Sequence, residues 1–249
     1  MKGFNMFIEM ESLENRLLFY TISAHGHRIN IYGEQNIGNN IALSFDAKLK
    51  TLLININGSL IGYGISKFNS IRLVGGTADD FLHVDQSLHK FTIPVWFFPG
   101  EGNNSVQGGS EADGIVCGGS GNDSIITGDG QDTVIGGTGH DTITLGSNLK
   151  SVFGAKGGNT INVVGHAGGY IFSGDGGSAI STVVNTAGNN SIFELVGGTG
   201  DDTIRGSGFD TLWGGGGNDS LAGGIETHRG ALPGYLKVRN LLLPLIPRV

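Results

Sequence analysis

The chain has 249 residues, 46 of them glycine and one cysteine, with a net charge of −7. The acid excess argues against nucleic acid and for cations, a single thiol excludes an internal disulfide, and no apolar run is long enough to span a bilayer as a helix. Abundant glycine outside a collagen triplet can signal disorder, but here it alternates with Ile, Val, Leu and Phe, which predicts an ordered β-rich array.

Residues 1–20, MKGFNMFIEMESLENRLLFY, are the best candidate for a short amphipathic helix, a capping or targeting-like segment. Glu9, Glu11 and Glu14 interrupt its apolar stretch, so it is not a standard signal peptide. Residues 21–107 form a β-rich lead-in. HRINIYG, NIALSFD, TLLININGSLIGYGI and SIRLVGG alternate as short strands with Gly and Asn punctuation. His25-Gly26-His27 lacks a third ligand nearby and reads as a turn. GGTADDFLH (Gly75–His83) is a first, degenerate nine. The aromatic group Phe91, Trp96, Phe97 and Phe98 reads as core or cap, with a ligand platform as the alternative.

Residues 108–224 keep a nine-residue beat. GGSEADGIV carries Asp113 and precedes Cys117, a small apolar residue with no Cys/His/Asn spacing around it. Three clean nines follow, GGSGNDSII, TGDGQDTVI and GGTGHDTIT, from Gly118 to Thr144. Their glycines are Gly118, Gly119, Gly121, Gly128, Gly130, Gly136, Gly137 and Gly139, and their sixth residues are Asp123, Asp132 and Asp141. His140 sits at a variable position that should face solvent. The sixth position then holds Lys150, Asn159, Ser178 and Asn190 across residues 145–193. The signature returns with Gly197, Gly198, Gly200 and Asp202, passes a shortened unit with Asp210, and ends with Gly214, Gly215, Gly217 and Asp219. Residues 225–249 are a basic, Pro/Leu-rich tail of unknown order, in which THRGALPGYLKVRNLLLPLIPRV carries four Lys/Arg, three Pro and no acid.

A period this short predicts a parallel β-solenoid. Glycine permits the bends and close approaches of a tight turn, and positions seven to nine make a minimal strand whose eighth residue points inward. Ile125, Val134, Ile143, Ile161, Ile192, Ile204, Leu212 and Leu221 should stack as the core stripe. Two nines make one coil, so Asp123 stacks on Asp141 and Asp202 on Asp219. Carboxylates stacked one strand spacing apart, about 4.8 Å, repel unless a cation joins them. Carboxylates with backbone carbonyls form a hard oxygen set suited to Ca²⁺; Mg²⁺ demands a tighter octahedron. Across residues 145–193 the neutral residues should ladder by hydrogen bonds and Lys150 should repel a cation, which leaves about two to five ions in all.

The nines resemble the G-G-x-G-x-D-x-U-x repeat of the repeats-in-toxin (RTX, hemolysin-type) family. The likeness is close over Gly118–Thr144, Gly197–Arg205 and Gly214–Ala222 and partial elsewhere. It implies a calcium-binding β-roll. ESLENRLLF resembles the LEPR-XLL-type segment at the start of exported or surface proteins of planctomycetes and related bacteria. Leu13, Glu14, Arg16, Leu17 and Leu18 match, while Asn15 replaces the usual Pro. That likeness implies an extracellular or cell-surface location.

Neither H-E-x-x-H nor G-x-S-x-G occurs. The expected function is a non-catalytic, calcium-rigidified surface protein for adhesion or display, with surface polysaccharide or matrix protein as partner. The alternative is a solenoid that binds or acts on polysaccharide, using Lys150, Lys156 or Arg205 as a basic group. Open strand edges would permit end-to-end self-association.

Overall fold

A computed structural model describes residues 20–64, 68–87, 89–117, 119–165, 167–182, 192–206 and 210–222, with the backbone of 12–13 and 16–17. The described residues are all-β. None of them forms a helix long and apolar enough to cross a membrane. The helix expected over residues 1–20 falls mostly outside the described residues. The backbone described there, Ser12–Leu13 and Arg16–Leu17, is a short antiparallel pair. The tail after residue 222 lies outside as well.

Two sheets of ten and eleven strands run side by side, and successive strands of the repeat region alternate between them. Nine residues supply one turn and one strand, so each pair of nines returns the chain to the same sheet. Asp132–Ile135 pairs in parallel with Asn148–Phe153 in the ten-stranded sheet, and Ser124–Ile126 pairs with Thr142–Leu145 in the other.

Antiparallel elements close the N-terminal edge. Thr21–His25 and Arg28–Tyr32 form a hairpin beside Ser70–Gly76. Asn40–Asp46, Thr51–Ile56 and Ser59–Gly64 form a meander beside Phe81–Val84. Its second turn is Asn57-Gly58, both at positive φ, the sequence preferred by a two-residue hairpin turn. Trp96 lies across Gly114, where any Cβ would strike the indole ring.

The core is two facing columns of single residues. Leu73, Phe97, Ile115, Val134, Val152, Ile171, Leu195 and Leu212 stand in register in one sheet. Leu82, Val106, Ile125, Ile143, Ile161, Ile180, Ile204 and Leu221 do so in the other. All but the half-buried Leu221 are essentially inaccessible, and each contributes about 1.5–3 kcal/mol of burial. The expected stripe is present with one correction. Ile192 is 58% exposed, and its neighbour Phe193 is buried instead. The coil that closes there spans 24 residues rather than 18, so a frame carried forward in nines slips out of phase. Cys117 is fully buried between two nines, where the extra residue lengthens the coil to 19.

Candidate metal centre

Each turn that enters the eleven-stranded sheet places a sixth-position side chain against the preceding coil. One oxygen of that side chain accepts the backbone N–H of the sixth residue one coil earlier. Asn39 donates to Asp80, Asp80 to Asn104, Asn104 to Asp123 and Asp123 to Asp141. Asp141 donates to Asn159, Asn159 to Ser178, Ser178 to Asp202 and Asp202 to Asp219. The bonds span 2.6–3.1 Å and form one unbroken column, the first edge of the roll.

The second polar atom of each side chain distinguishes one rung from another. In Asn104 it is an amide N–H₂, which donates to the carbonyls of Gly100 and Gly102 at 3.2 and 3.1 Å. Asn159 donates to Gly154 and Ser173, and Asn39 to Glu34 and Ile37. In Asp141 and Asp202 the second atom is a carboxylate oxygen. Both Oδ2 atoms are buried without a hydrogen-bond partner. An acceptor placed where an amide otherwise donates, among carbonyls that also only accept, is satisfied by a cation or by a proton on the carboxyl.

The second edge carries the turns into the ten-stranded sheet, and its carboxylates have other partners. Asp113 accepts Val95 N–H through Oδ1 at 2.9 Å and Gly109 N–H through Oδ2 at 2.7 Å. Asp132 accepts Asp113 N–H at 2.9 Å, and its Oδ2 meets the Lys150 ammonium at 2.5 Å. That ammonium also bonds the carbonyls of Gly128 and Gly130, at 3.1 and 2.7 Å. Lys150 therefore maps the cradle: the carbonyls of positions two and four and the carboxylate of position six converge on one positive charge. Asp210 accepts Phe193 N–H at 2.8 Å on the same edge.

The glycines shape the turns. Gly128, Gly137, Gly198 and Gly215 at position two, and Gly130, Gly139, Gly200 and Gly217 at position four, all have positive φ. At Gly136 a Cβ would come within 2.6 Å of Asp141 Oδ2; at Gly197 and Gly214 it would strike Asp202 and Asp219. Gly119 and Gly121 pack against the Gly100 and Gly102 carbonyls of the preceding coil. Gly118 lies outside the described residues, as does Asn190.

Burial drives the electrostatics. It pushes the Asp123 carboxyl up to about 6, with Asp141 adding repulsion, and Asp113 up to about 7. Asp141 and Asp202 are raised by the same cause. The buried Cys117 thiol is pushed up as well, by burial and then by Asp123 and Asp141. Among the described residues no three His, Cys, Asp or Glu side chains gather as a metal cluster. A bound ion must therefore draw on backbone carbonyls, which suits the hard, loosely coordinated Ca²⁺.

Sequence reasoning missed Asn104 and Asn39. The signal for Asn104 was available: PGEGNNSVQ (Pro99–Gln107) has Gly at two and four and Val at eight, hidden by Pro at one and Asn at six. His140 is exposed as expected, though its Nδ1 lies 3.0 Å from Gly158 O. His25 ends the first hairpin strand and His27 lies in its two-residue turn, and both line an open cleft with Arg28.

The RTX calcium-binding nonapeptide repeat matches residues 118–147 and 196–226, in four copies. Comparison with curated proteins and with solved structures gives no match.

Proposed function

The chain carries RTX calcium-binding nonapeptide repeats, and from that premise we propose that it is a non-catalytic structural or adhesive protein of the cell exterior. Its roll becomes rigid as calcium fills the cradles of the first edge. The observation that carries this reading is the pair of orphaned oxygens, Asp141 Oδ2 and Asp202 Oδ2. The residues that would hold the ions are Asp141 with Gly137 and Gly139, Asp202 with Gly198 and Gly200, Asp123 with Gly119 and Gly121, and Asp219 with Gly215 and Gly217. Calcium supplies positive charge between acceptor groups that otherwise face one another. The protein aligns the carboxylates through the backbone column and excludes water with the coil above.

Extracellular calcium modules bind with Kd near 10⁻⁴–10⁻³ M. At ten times Kd one site adds about 1.4 kcal/mol. A few such sites make order depend on the calcium level outside the cell. A non-catalytic role is supported by the fate of the candidate groups. Cys117 is buried as a thiol, Lys150 is engaged in a cradle, and Lys156 and Arg205 are exposed on separate elements.

One observation favours a second reading, binding of acidic polysaccharide. Arg28, Arg72, Trp96 and Phe98 line a cleft of about 240 Å³, and the Arg72 guanidinium lies 4.5 Å from the Phe98 ring centroid. Cationic groups beside exposed aromatic faces suit a uronate-bearing sugar. Trp96→Ala should then weaken retention on an acidic-polysaccharide matrix.

Calcium titration of the purified chain tests the main reading, followed by far-UV circular dichroism and thermal melting with magnesium as control. A gain of β signal and of Tm with calcium alone is expected. Equal folding and equal Tm in chelator and calcium would overturn it.

A further inference from the structure

Position six of the unit Leu145–Phe153 is lysine, directly in register with Asp132 one coil earlier. A lysine facing solvent there would only repel an ion. Instead Lys150 is 2% exposed, and its ion pair with Asp132 is wholly buried. Its ammonium is bonded by Gly128 O, Gly130 O and Asp132 Oδ2. These are the second, fourth and sixth residues of the nine Thr127–Ile135, the set that a calcium ion would use in a clean repeat.

We propose that Lys150 is a built-in cation that occupies this cradle in place of calcium and clamps two coils without metal. The cradle of Thr127–Ile135 matches the repeat in sequence yet takes no ion. Asp132 has both oxygens engaged, Oδ1 by Asp113 N–H and Oδ2 by the lysine, whereas Asp141 keeps Oδ2 unpartnered. Asp113, one coil earlier on the same edge, spends its second oxygen on Gly109 N–H. Between residues 108 and 153, calcium is thus confined to the first edge. Two kinds of metal-free clamp stand side by side in mid-roll: the lysine, and the amides of Asn104 and Asn159.

Breaking either partner of a buried ion pair leaves an uncompensated charge, so wherever these coils are folded the clamp holds without metal in this cradle. The inference rests on calcium occupying the first-edge cradles, and the test separates the two. Calcium bound at saturation is counted by equilibrium dialysis for the full chain and for Asp132→Asn, Lys150→Ala and the double variant. Asp132→Asn should bind as many ions as the unaltered chain, Lys150→Ala one more, and the double variant the original number. Loss of an ion in Asp132→Asn, or no gain in a folded Lys150→Ala, would overturn the proposal. Absence of calcium from the unaltered chain would instead overturn the first-edge reading.

Amine acetylation of the unaltered chain, mapped by mass spectrometry, decides the matter should the variants not fold. In calcium, where the roll is folded, Lys150 should stay unmodified while exposed lysines react. Its labelling in the folded, calcium-bound chain would overturn the clamp.

Discussion

Asp141 accepts the backbone N–H of Asp123 through Oδ1 at 3.0 Å and leaves its Oδ2 buried without a partner. Asn159, one coil later, occupies the same rung and satisfies both atoms. Asp141→Asn should therefore stabilise the metal-free protein and remove a calcium site. Relief of one buried unsatisfied acceptor is worth about 1–3 kcal/mol, and each kcal/mol is about 2–4 °C at this size. Melting in chelator should show a rise in Tm, and melting in calcium a smaller calcium-induced increment. A lower Tm in chelator would contradict the assignment.

The reverse exchange applies at Asn104, whose amide bonds the Gly100 and Gly102 carbonyls. Asn104→Asp should lower Tm in chelator by a comparable amount and add one ion at saturation. Dialysis and melting of the same sample read both effects.

Gly139 stands at φ +141°, and an added Cβ would meet the Gly121 carbonyl. Gly139→Ala should cost about 1–3 kcal/mol from backbone strain alone. Tm should fall in both chelator and calcium, unlike the opposed effects of Asp141→Asn. An unchanged Tm would contradict the close packing of these turns.

In chelator, stability should fall as pH rises toward neutrality. Folding raises Asp123 to about 6 and Asp113 to about 7, chiefly by burial. The folded state holds protons that the unfolded state has already lost. This stabilisation is complete below about pH 4 and is lost as pH rises through about 6 to 7. Calcium should remove the Asp123 part and leave the Asp113 part, since both Asp113 oxygens face backbone N–H groups. Tm measured against pH, with and without calcium, checks this; a flat profile in chelator would contradict it.

The alternation of Ile125, Val134 and Ile143 made two sheets and an eighteen-residue coil legible in the sequence, because a strand's inward positions must be apolar. The pairing of Asp123 with Asp141 followed from counting alone. Ile192 was misplaced because the extra residues between Ala179–Thr182 and Phe193–Thr199 shift the frame, and a count does not register a slip that a fold absorbs. Lys150 was legible as an interruption but not as a ligand. Its charge could be read, but the direction of a four-carbon side chain depends on what the preceding coil offers. Asp113 and Asp132 share their letter with Asp141 and differ only in which groups their second oxygens meet, a tertiary property.

Every bond in the first-edge column points the same way: the donor belongs to the earlier coil and the acceptor to the later one. The column is a one-way dependency. A chain emerging from its N-terminus always leaves its newest coil with an unanswered donor until another coil arrives. A chain emerging from its C-terminus meets a waiting acceptor at each step and leaves its newest coil with an unanswered acceptor instead. The two ends of one sequence are thereby unequal as starting points for assembly, although the repeat itself reads alike from coil to coil.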